Sequence, residues 1–328
     1  MTVSLGNEET LVELPAIEFF RNLPDGYDFI HGSQLTPDQG ERDFLSSVIL
    51  GKRLRQALKR LNPWMSETTV NKAALHLEKA EQLGTDLLAI NEAVYNAIVN
   101  LALSLEETSD GHKAFQTVRF IDFDHMERND FLVTRQFKIQ GPNETIIPDI
   151  VIFINGIPVV VLECKSPFLE TSGAENIGKQ QAFQQLRRYM DGRGSTPPEG
   201  AERLFYTNFF TAILNKYQAY IGTISSSYEH YLEWKDPYPA TADSVNPDQA
   251  QDLLLLGTLA KRNLIDIMAN FILFEGDVTS GKKVKKICRY QQYRAVNKAL
   301  LKLVTAKTNI SRGGVIWHTQ GSGKSLTM

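Results

Sequence analysis

The sequence is poor in cysteine, with Cys164 and Cys288 the two in 328 residues and neither in a C-x-x-C pair. That excludes a disulfide framework and a zinc ribbon, and points to a reducing cytoplasm. The six histidines are scattered, with no H-x-x-x-H pair to hold a metal. No apolar run approaches the roughly 18 residues needed to cross a bilayer, and the N-terminus is acidic where a signal peptide would be basic. A membrane protein is therefore not expected. A charge excess is missing too: 35 Lys and Arg against 38 Asp and Glu leave a net charge of -3. A histone-like polycation is excluded, but a local nucleic-acid groove is not, because net charge averages over patches. What remains is 42% hydrophobic and 22% charged, an ordinary globular composition of about two domains' length.

The first hundred residues have helical texture. Apolar residues recur at helical spacing from Gly40 to Leu61, where Asn62-Pro63 ends the segment. Further helices are expected from Glu67 to Leu83 and from Asp86 to Leu105. Phe131 to Ile139, Ile150 to Ile154 and Pro158 to Leu162 then read as strands, rich in Val, Ile and Phe and bounded by turn residues. A helix from Ala174 to Met190, a strand from Arg203 to Thr207, a proline-marked loop and a helix from Asp252 to Phe274 follow. Beyond a basic connector, Glu275 to Lys286, come a helix, a strand from Gly314 to His318 and a glycine-rich loop. The spacing predicts a mixed α/β chain with three parts: residues 1–260, a connector at 261–286, and the beginning of a second domain at 287–328.

The most informative run is Pro148 to Lys165, two fully apolar segments around Asn155-Gly156 with acids and a lysine at their ends. The Asn-Gly pair is a strong hairpin signal. Strands apolar at successive positions are buried on both faces, so Asp149, Glu163 and Lys165 are expensive there unless paired or bound to metal. A two-residue turn would pair Ile154 with Ile157 and send Asp149 and Glu163 to opposite faces. A three-residue loop, with Gly156 in the left-handed conformation closing a bulge, pairs Phe153 with Ile157 and puts Asp149, Glu163 and Lys165 on one face. The bulged form is expected, because only it builds a site. Asp149, Glu163 and the Cys164 carbonyl would offer the oxygen ligands that Mg²⁺ prefers, and Lys165 would orient a water and stabilise developing negative charge. On the next helix Gln185 and Tyr189 share a face and could bind phosphate and sugar, beside Arg188.

Near the C-terminal end, Gly321, Gly323, Lys324 and Ser325 form a Gly-x-Gly-Lys-Ser loop whose backbone N–H groups can cradle phosphates. Lys324 would reach the β/γ-phosphates of ATP and Ser325 its Mg²⁺. Upstream, Arg289 to Val296 carries Gln291 and Gln292, and Gln292 fits a Gln-x-x-Ala-Val adenine-recognising pattern better. Two basic clusters, Lys52–Arg60 and Lys282–Arg294, could touch DNA phosphates, although a solvated face accounts for the first as well. Asp122, Asp124 and His125 find no partner in the sequence, and Cys164 reads as a small buried filler.

These signals stand in one order: Pro-Asp…Glu-Cys-Lys with Gln185-x-x-x-Tyr189, then Tyr290–Val296, then His318-Thr-Gln-Gly-Ser-Gly-Lys-Ser. With Glu41-Arg42, Leu54-Arg55 and Leu61-Asn62-Pro63, the chain resembles the R subunit of type I restriction-modification enzymes, from its N-terminus through helicase motif I. The resemblance implies a RecB-like PD-(D/E)xK nuclease core with an N-terminal helical region, followed by the start of a RecA-like superfamily 2 helicase domain. It implies Mg²⁺ and ATP as cofactors, double-stranded DNA as substrate, and methyltransferase (M) and specificity (S) subunits as partners. On this chain it assigns Asp149, Glu163, Lys165, Gln185 and Tyr189 to cleavage, and Gln292, Lys324 and Ser325 to nucleotide contact. It further implies a truncated chain that lacks ATPase and translocase activity. The competing expectation is a non-catalytic assembly or DNA-binding module whose hairpin acids form ion pairs.

Overall fold

Apolar residues at successive positions put the hairpin at the centre of a covered sheet. The computed structural model describes residues 7–109, 112–172, 177–246, 249–276 and 282–316. A π-helical turn (Glu9–Glu13) leads into α1 (Leu14–Asn22), followed by the short β1 (Asp28–Phe29). Helices α2 (Gly51–Leu61), α3 (Glu67–Glu78) and α4 (Leu87–Ile98) come next, and then an outlying hairpin of β2 (Ser104–Ser109) and β3 (His112–Thr117). The chain returns as β4 (Phe131–Arg135), the small pair β5 (Ile139–Gln140) and β6 (Thr145–Ile146), β7 (Ile150–Ile154) and β8 (Ile157–Cys164). After α5 (Ile177–Tyr189) come β9 (Phe210–Leu214), β10 (Ala219–Gly222) and β11 (Leu232–Glu233). The remainder is α6 (Ala250–Leu254), α7 (Lys261–Asn270), the hairpin β12 (Ile272–Gly276) and β13 (Lys283–Ile287), α8 (Tyr290–Thr305) and α9 (Asn309–Arg312).

Seven strands make one mixed sheet in the order β1-β4-β7-β8-β9-β10-β11. Every residue of β7 and β8 is buried. Strand β9 runs parallel to β8, which requires a crossover, and α5 supplies it. The α5 face that meets the sheet carries Ala182, Leu186 and Tyr189.

The hairpin register differs from the sequence expectation in its cause but not in its result. The turn has two residues, with Asn155 at φ 54° and Gly156 at φ 79°, and Ile154 pairs with Ile157. Asn155 fixes this turn by donating to Phe120 O and Asn129 Oδ1 and accepting from Asp130 N and Arg60. A side chain at Gly156 would strike Leu50 O at 2.6 Å. The bulge lies further in: Phe153 pairs with Pro158, but Ile152 pairs with Val160, so Val159 is the extra residue. Pro158 has no N–H to give to the ladder, and a proline inside a central strand is tolerated at such an irregularity. From there Ile150 pairs with Leu162, which carries Asp149 and Glu163 to one face.

Several predicted elements are shorter or different. Residues 40–50 are not helical, because the buried Arg42 guanidinium donates to Leu45 O, Ser47 O and Lys138 O and holds them as a loop. Helix α3 ends at Glu78, before a 3-10 turn at Ala80–Gln82, and α4 ends at Ile98 before Leu101 reverses at φ 54°. The strand expected to Ile139 stops at Arg135, where Gln136 turns left-handed (φ 57°). In place of the strand expected from Arg203 to Thr207 there is a 3-10 turn, Glu202–Phe205, because Asn91 Nδ2 draws in the carbonyls of Phe205, Tyr206 and Asn208. The helix expected from Asp252 breaks at Ala260 between a π turn and α7, and gives way to β12. Gly313 to Ile316 carry no regular structure, and Trp317 onward lies outside the described residues.

The basic clusters are largely engaged by the protein itself. In α2, Arg53 pairs with Glu41 and Asp130, Arg55 with Glu78 and Lys59 with Glu67. In the connector, Lys283 pairs with Glu92, Lys286 with Glu275 and Arg294 with Asp236. Lys285 is buried, donating to Asn91 Oδ1 (2.7 Å) and Asn208 O (2.6 Å). These partly exposed pairs agree with the solvated-face account of the α2 cluster, and only Lys285 is withdrawn from any phosphate by burial. Asp122 has partners after all: fully buried, it meets Arg128 at 2.9 Å and Arg119 at 3.7 Å.

Candidate active site

Asp149 immediately precedes β7, Glu163 is the penultimate residue of β8, and Lys165 follows its end. Asp149 Oδ2 accepts the Cys164 N–H at 2.7 Å. Lys165 Nζ donates to Glu163 Oε1 at 2.6 Å and to Cys164 O at 2.7 Å. The three residues singled out by sequence are therefore one cluster, and the Cys164 carbonyl within it already accepts from the lysine. The Cys164 side chain is buried filler. From α5, Gln185 Nε2 donates to Tyr189 Oη at 3.0 Å, and Tyr189 donates to Ile147 O, two residues before Asp149. Burial, and then the nearby Glu163 and Asp149 charges, keep the Tyr189 hydroxyl protonated.

Sequence reasoning missed the acidic N-terminal segment. Glu8 Oε2 accepts the Ser166 N–H at 3.0 Å, and Glu8 Oε1 lies 4.0 Å from Lys165 Nζ. One carboxylate oxygen each from Glu8, Glu13 and Asp149 lie within 4.8 Å of one another. Gln136 Nε2 donates to Glu13 Oε2 at 3.0 Å and, at 3.5 Å, to Asp149 Oδ1. Arg135 braces the outer side, pairing with Glu9 at 2.5 Å and Glu13 at 3.6 Å. The local signal was an acidic residue at positions 8, 9 and 13, ordinary for a solvated helix face; nothing in it names a partner more than a hundred residues away.

Five acids, Glu8, Glu9, Glu13, Asp149 and Glu163, thus face two cations, Lys165 and Arg135. Burial pushes the Asp149 carboxyl up to about 7, against the pull of the Cys164 N–H and Lys165. Burial, and then the Asp149 charge, raises Glu163 well above the usual carboxylate range. Burial also raises Glu13. For Lys165 burial acts downward, but Glu163, Asp149 and Glu8 more than offset it, and the ammonium is held more firmly than usual. Glu163 Oε2 is buried and has no hydrogen-bond partner. An orphaned acid oxygen beside three clustered carboxylates fits a hard divalent cation, which takes oxygen ligands and offsets the negative charge.

The residues expected to contact nucleotide are less fully described. Gln292 is buried, and its Oε1 accepts the Arg289 N–H, capping α8. Gln291, by contrast, lines a cavity of about 830 Å³ with Arg294, Lys298, Lys302 and Arg312, and its buried Oε1 has no partner. Gly321, Gly323, Lys324 and Ser325 lie outside the described residues. Among the described residues no helix is long and apolar enough to cross a membrane.

Comparison with known proteins finds two matching regions. Residues 6–230 match the family described as type I restriction enzyme R protein N terminus, and residues 291–328 match the SWI2/SNF2 ATPase family. The chain is 34% identical over 310 residues to the type I restriction enzyme HindI endonuclease subunit of Haemophilus influenzae, covering 92% of this chain and 28% of that protein. It is 29% identical over 345 residues to a Methanocaldococcus jannaschii protein provisionally named the type I restriction enzyme MjaIXP endonuclease subunit, covering 98% of this chain and 31% of that one. The chain therefore spans less than a third of the length of these relatives. With the first match running through the acidic cluster and α5, as the order of motifs implied, the chain belongs to the family of type I restriction enzyme R protein N termini.

Proposed function

We infer that this chain carries a divalent-cation-dependent DNA endonuclease site of the PD-(D/E)xK type. It would act within a type I restriction enzyme on unmodified double-stranded DNA, with M and S subunits and an ATP-driven motor. The observation that carries the reading is the register of β7 against β8, which sets Asp149 beside Glu163 with Lys165 at 2.6 Å from the latter. Asp149 and Glu163, with Glu8 and Glu13 behind them, would hold Mg²⁺. A bound cation would supply Lewis-acid activation of water and neutralisation of charge at the phosphodiester. Asp149 is oriented for this by the Cys164 N–H. Lys165 presents an ammonium, held charged by its acid neighbours, where it can orient a water and stabilise negative charge developing on phosphate. Gln185, partly exposed on the crossover helix, would contact the DNA backbone, and the buried Tyr189, bonded to Gln185 and to Ile147 O, would hold it in position. The division into a nuclease region at 1–260, a connector at 261–286 and the beginning of a motor at 287–328 follows the same reading. ATP would be held by Lys324 and Ser325, with Gln291 or Gln292 at the adenine.

The test is plasmid cleavage by the full-length R subunit assembled with its M and S partners, in Mg²⁺ and ATP. Asp149→Ala and Lys165→Ala should each abolish cleavage while leaving DNA-stimulated ATP turnover. Undiminished cleavage in both variants would remove the assignment.

A further inference from the structure

We propose that Gln136 is a positioning residue for the cation site, an uncharged bridge that holds Glu13 beside Asp149 without neutralising either. The inference rests on the cation-dependent reading above and adds a residue that no motif includes.

Two features of Gln136 carry it. The first is the backbone. Gln136 is the first residue after β4, it is left-handed at φ 57°, and its N–H donates to Asp149 O at 2.8 Å. A residue with a Cβ adopts this conformation only where its surroundings impose it. Here Gly32 presses so closely that a side chain on it would come within 2.1 Å of Gln136 O. The turn swings the Gln136 side chain alongside Asp149 instead of onward along the strand.

The second feature is the amide. Nε2 donates to Glu13 Oε2 at 3.0 Å and to Asp149 Oδ1 at 3.5 Å, so one nitrogen uses its two hydrogens on two acids. The acids come from distant parts of the chain: Glu13 from the N-terminal π turn and Asp149 from the residue just before the central strand β7. Side by side they repel, and something must tie them. A lysine or arginine at position 136 would tie them by cancelling their charge and would compete with a metal. A glutamate would add to the repulsion. A neutral double donor ties them and leaves the negative charge for a cation. Asp149 Oδ2 is meanwhile fixed by the Cys164 N–H, so both of its oxygens are oriented from the protein side. Glu163, across from Asp149 on the neighbouring strand but outside the Glu8–Glu13–Asp149 group, has a buried Oε2 without a hydrogen-bond partner that independently marks a ligand position beside it.

The role separates into backbone and amide, and so does the experiment. Gln136→Met keeps the side-chain length and removes the donor. Gln136→Gly removes the donor but relieves the left-handed backbone, so it should lose less stability than Gln136→Met. Mn²⁺ binding to the chain is read by titration calorimetry, and half-saturating Mg²⁺ for cleavage is read in the assembled enzyme. Both variants should bind Mn²⁺ at least about tenfold more weakly. Half-saturating Mg²⁺ should rise by a similar factor, and by more than the cleavage rate at saturation falls. Wild-type Mn²⁺ affinity in both variants would overturn the role of Gln136, whatever happens to cleavage. The control is Asp149→Ala: if it abolishes Mn²⁺ binding while the Gln136 variants do not, the cation site stands and only the bridge is wrong. If Asp149→Ala also binds Mn²⁺ as the wild type does, the cation-site reading itself fails.

Discussion

Replacing Asp149 by asparagine should make the protein more stable and leave the cation site disabled. With its proton affinity raised from 3.8 to about 7, the carboxyl costs the fold about 1.4 kcal/mol for each tenfold, or about 4 kcal/mol when fully ionised. The sign follows from proton binding. Between these values the native state holds the Asp149 proton and the unfolded chain does not, so wild-type stability falls as pH rises from about 4 through 7 and is lowest above that. Asparagine is neutral like the protonated acid but has one acceptor oxygen where Asp149 accepts from both Cys164 N–H and Gln136 Nε2, so its NH2 meets a donor and needs another acceptor, at a cost of about 1–2 kcal/mol. The net gain at pH 8 is therefore about 2–3 kcal/mol, or several degrees in unfolding midpoint. Thermal unfolding of both proteins at pH 5 and pH 8, each with and without Mg²⁺, reads this out. The variant's advantage should be clear at pH 8 and shrink at pH 5, and Mg²⁺ should raise the midpoint of the wild type alone. A variant less stable than wild type at pH 8, or an equal response of both to Mg²⁺, would refute the reasoning.

Three further outcomes follow from the geometry. Asn155→Ala removes four hydrogen bonds at the hairpin tip and puts alanine in a left-handed position, which should cost about 3 kcal/mol by urea unfolding, with Asn155→Gly recovering part of it; a loss below about 1 kcal/mol would contradict the turn's role in fixing register. Lys285 is pushed well below the usual lysine range by burial, so the unfolded chain binds the extra proton and wild-type stability should rise as pH increases towards about 10. Lys285→Met should lose that slope, and an identical pH dependence in both proteins would show that the lysine keeps its charge when folded. Tyr189→Phe loses its bonds to Gln185 and Ile147 O; unfolding should shift by about 1 kcal/mol, while cleavage by the assembled enzyme should fall about tenfold or more, a split that a purely structural tyrosine would not show.

The sequence by itself determined which residues to examine and in what order. Asn155-Gly156 between two apolar runs specified a buried hairpin, and the expense of burying Asp149, Glu163 and Lys165 marked them out, because both arguments need only neighbours along the chain. The register was different. A bulge was needed for the acids to share a face, but it was expected at Gly156 and lies at Val159, where Pro158 leaves the ladder short of a donor. Asn155 could not supply it, since contacts from Phe120, Asn129, Asp130 and Arg60 hold the turn at two residues. Helix ends and the strand read at Arg203–Thr207 failed for a related reason: buried side chains such as Arg42 and Asn91 satisfy backbone carbonyls from distant elements and override local propensity. Only the tertiary structure decided that Glu8, Glu13 and Gln136 belong beside Asp149. Glu8 reaches Ser166 across 158 residues of sequence, and such a contact leaves no periodicity, turn signal or motif, because it exists only once the sheet has formed and the N-terminal segment has packed against it.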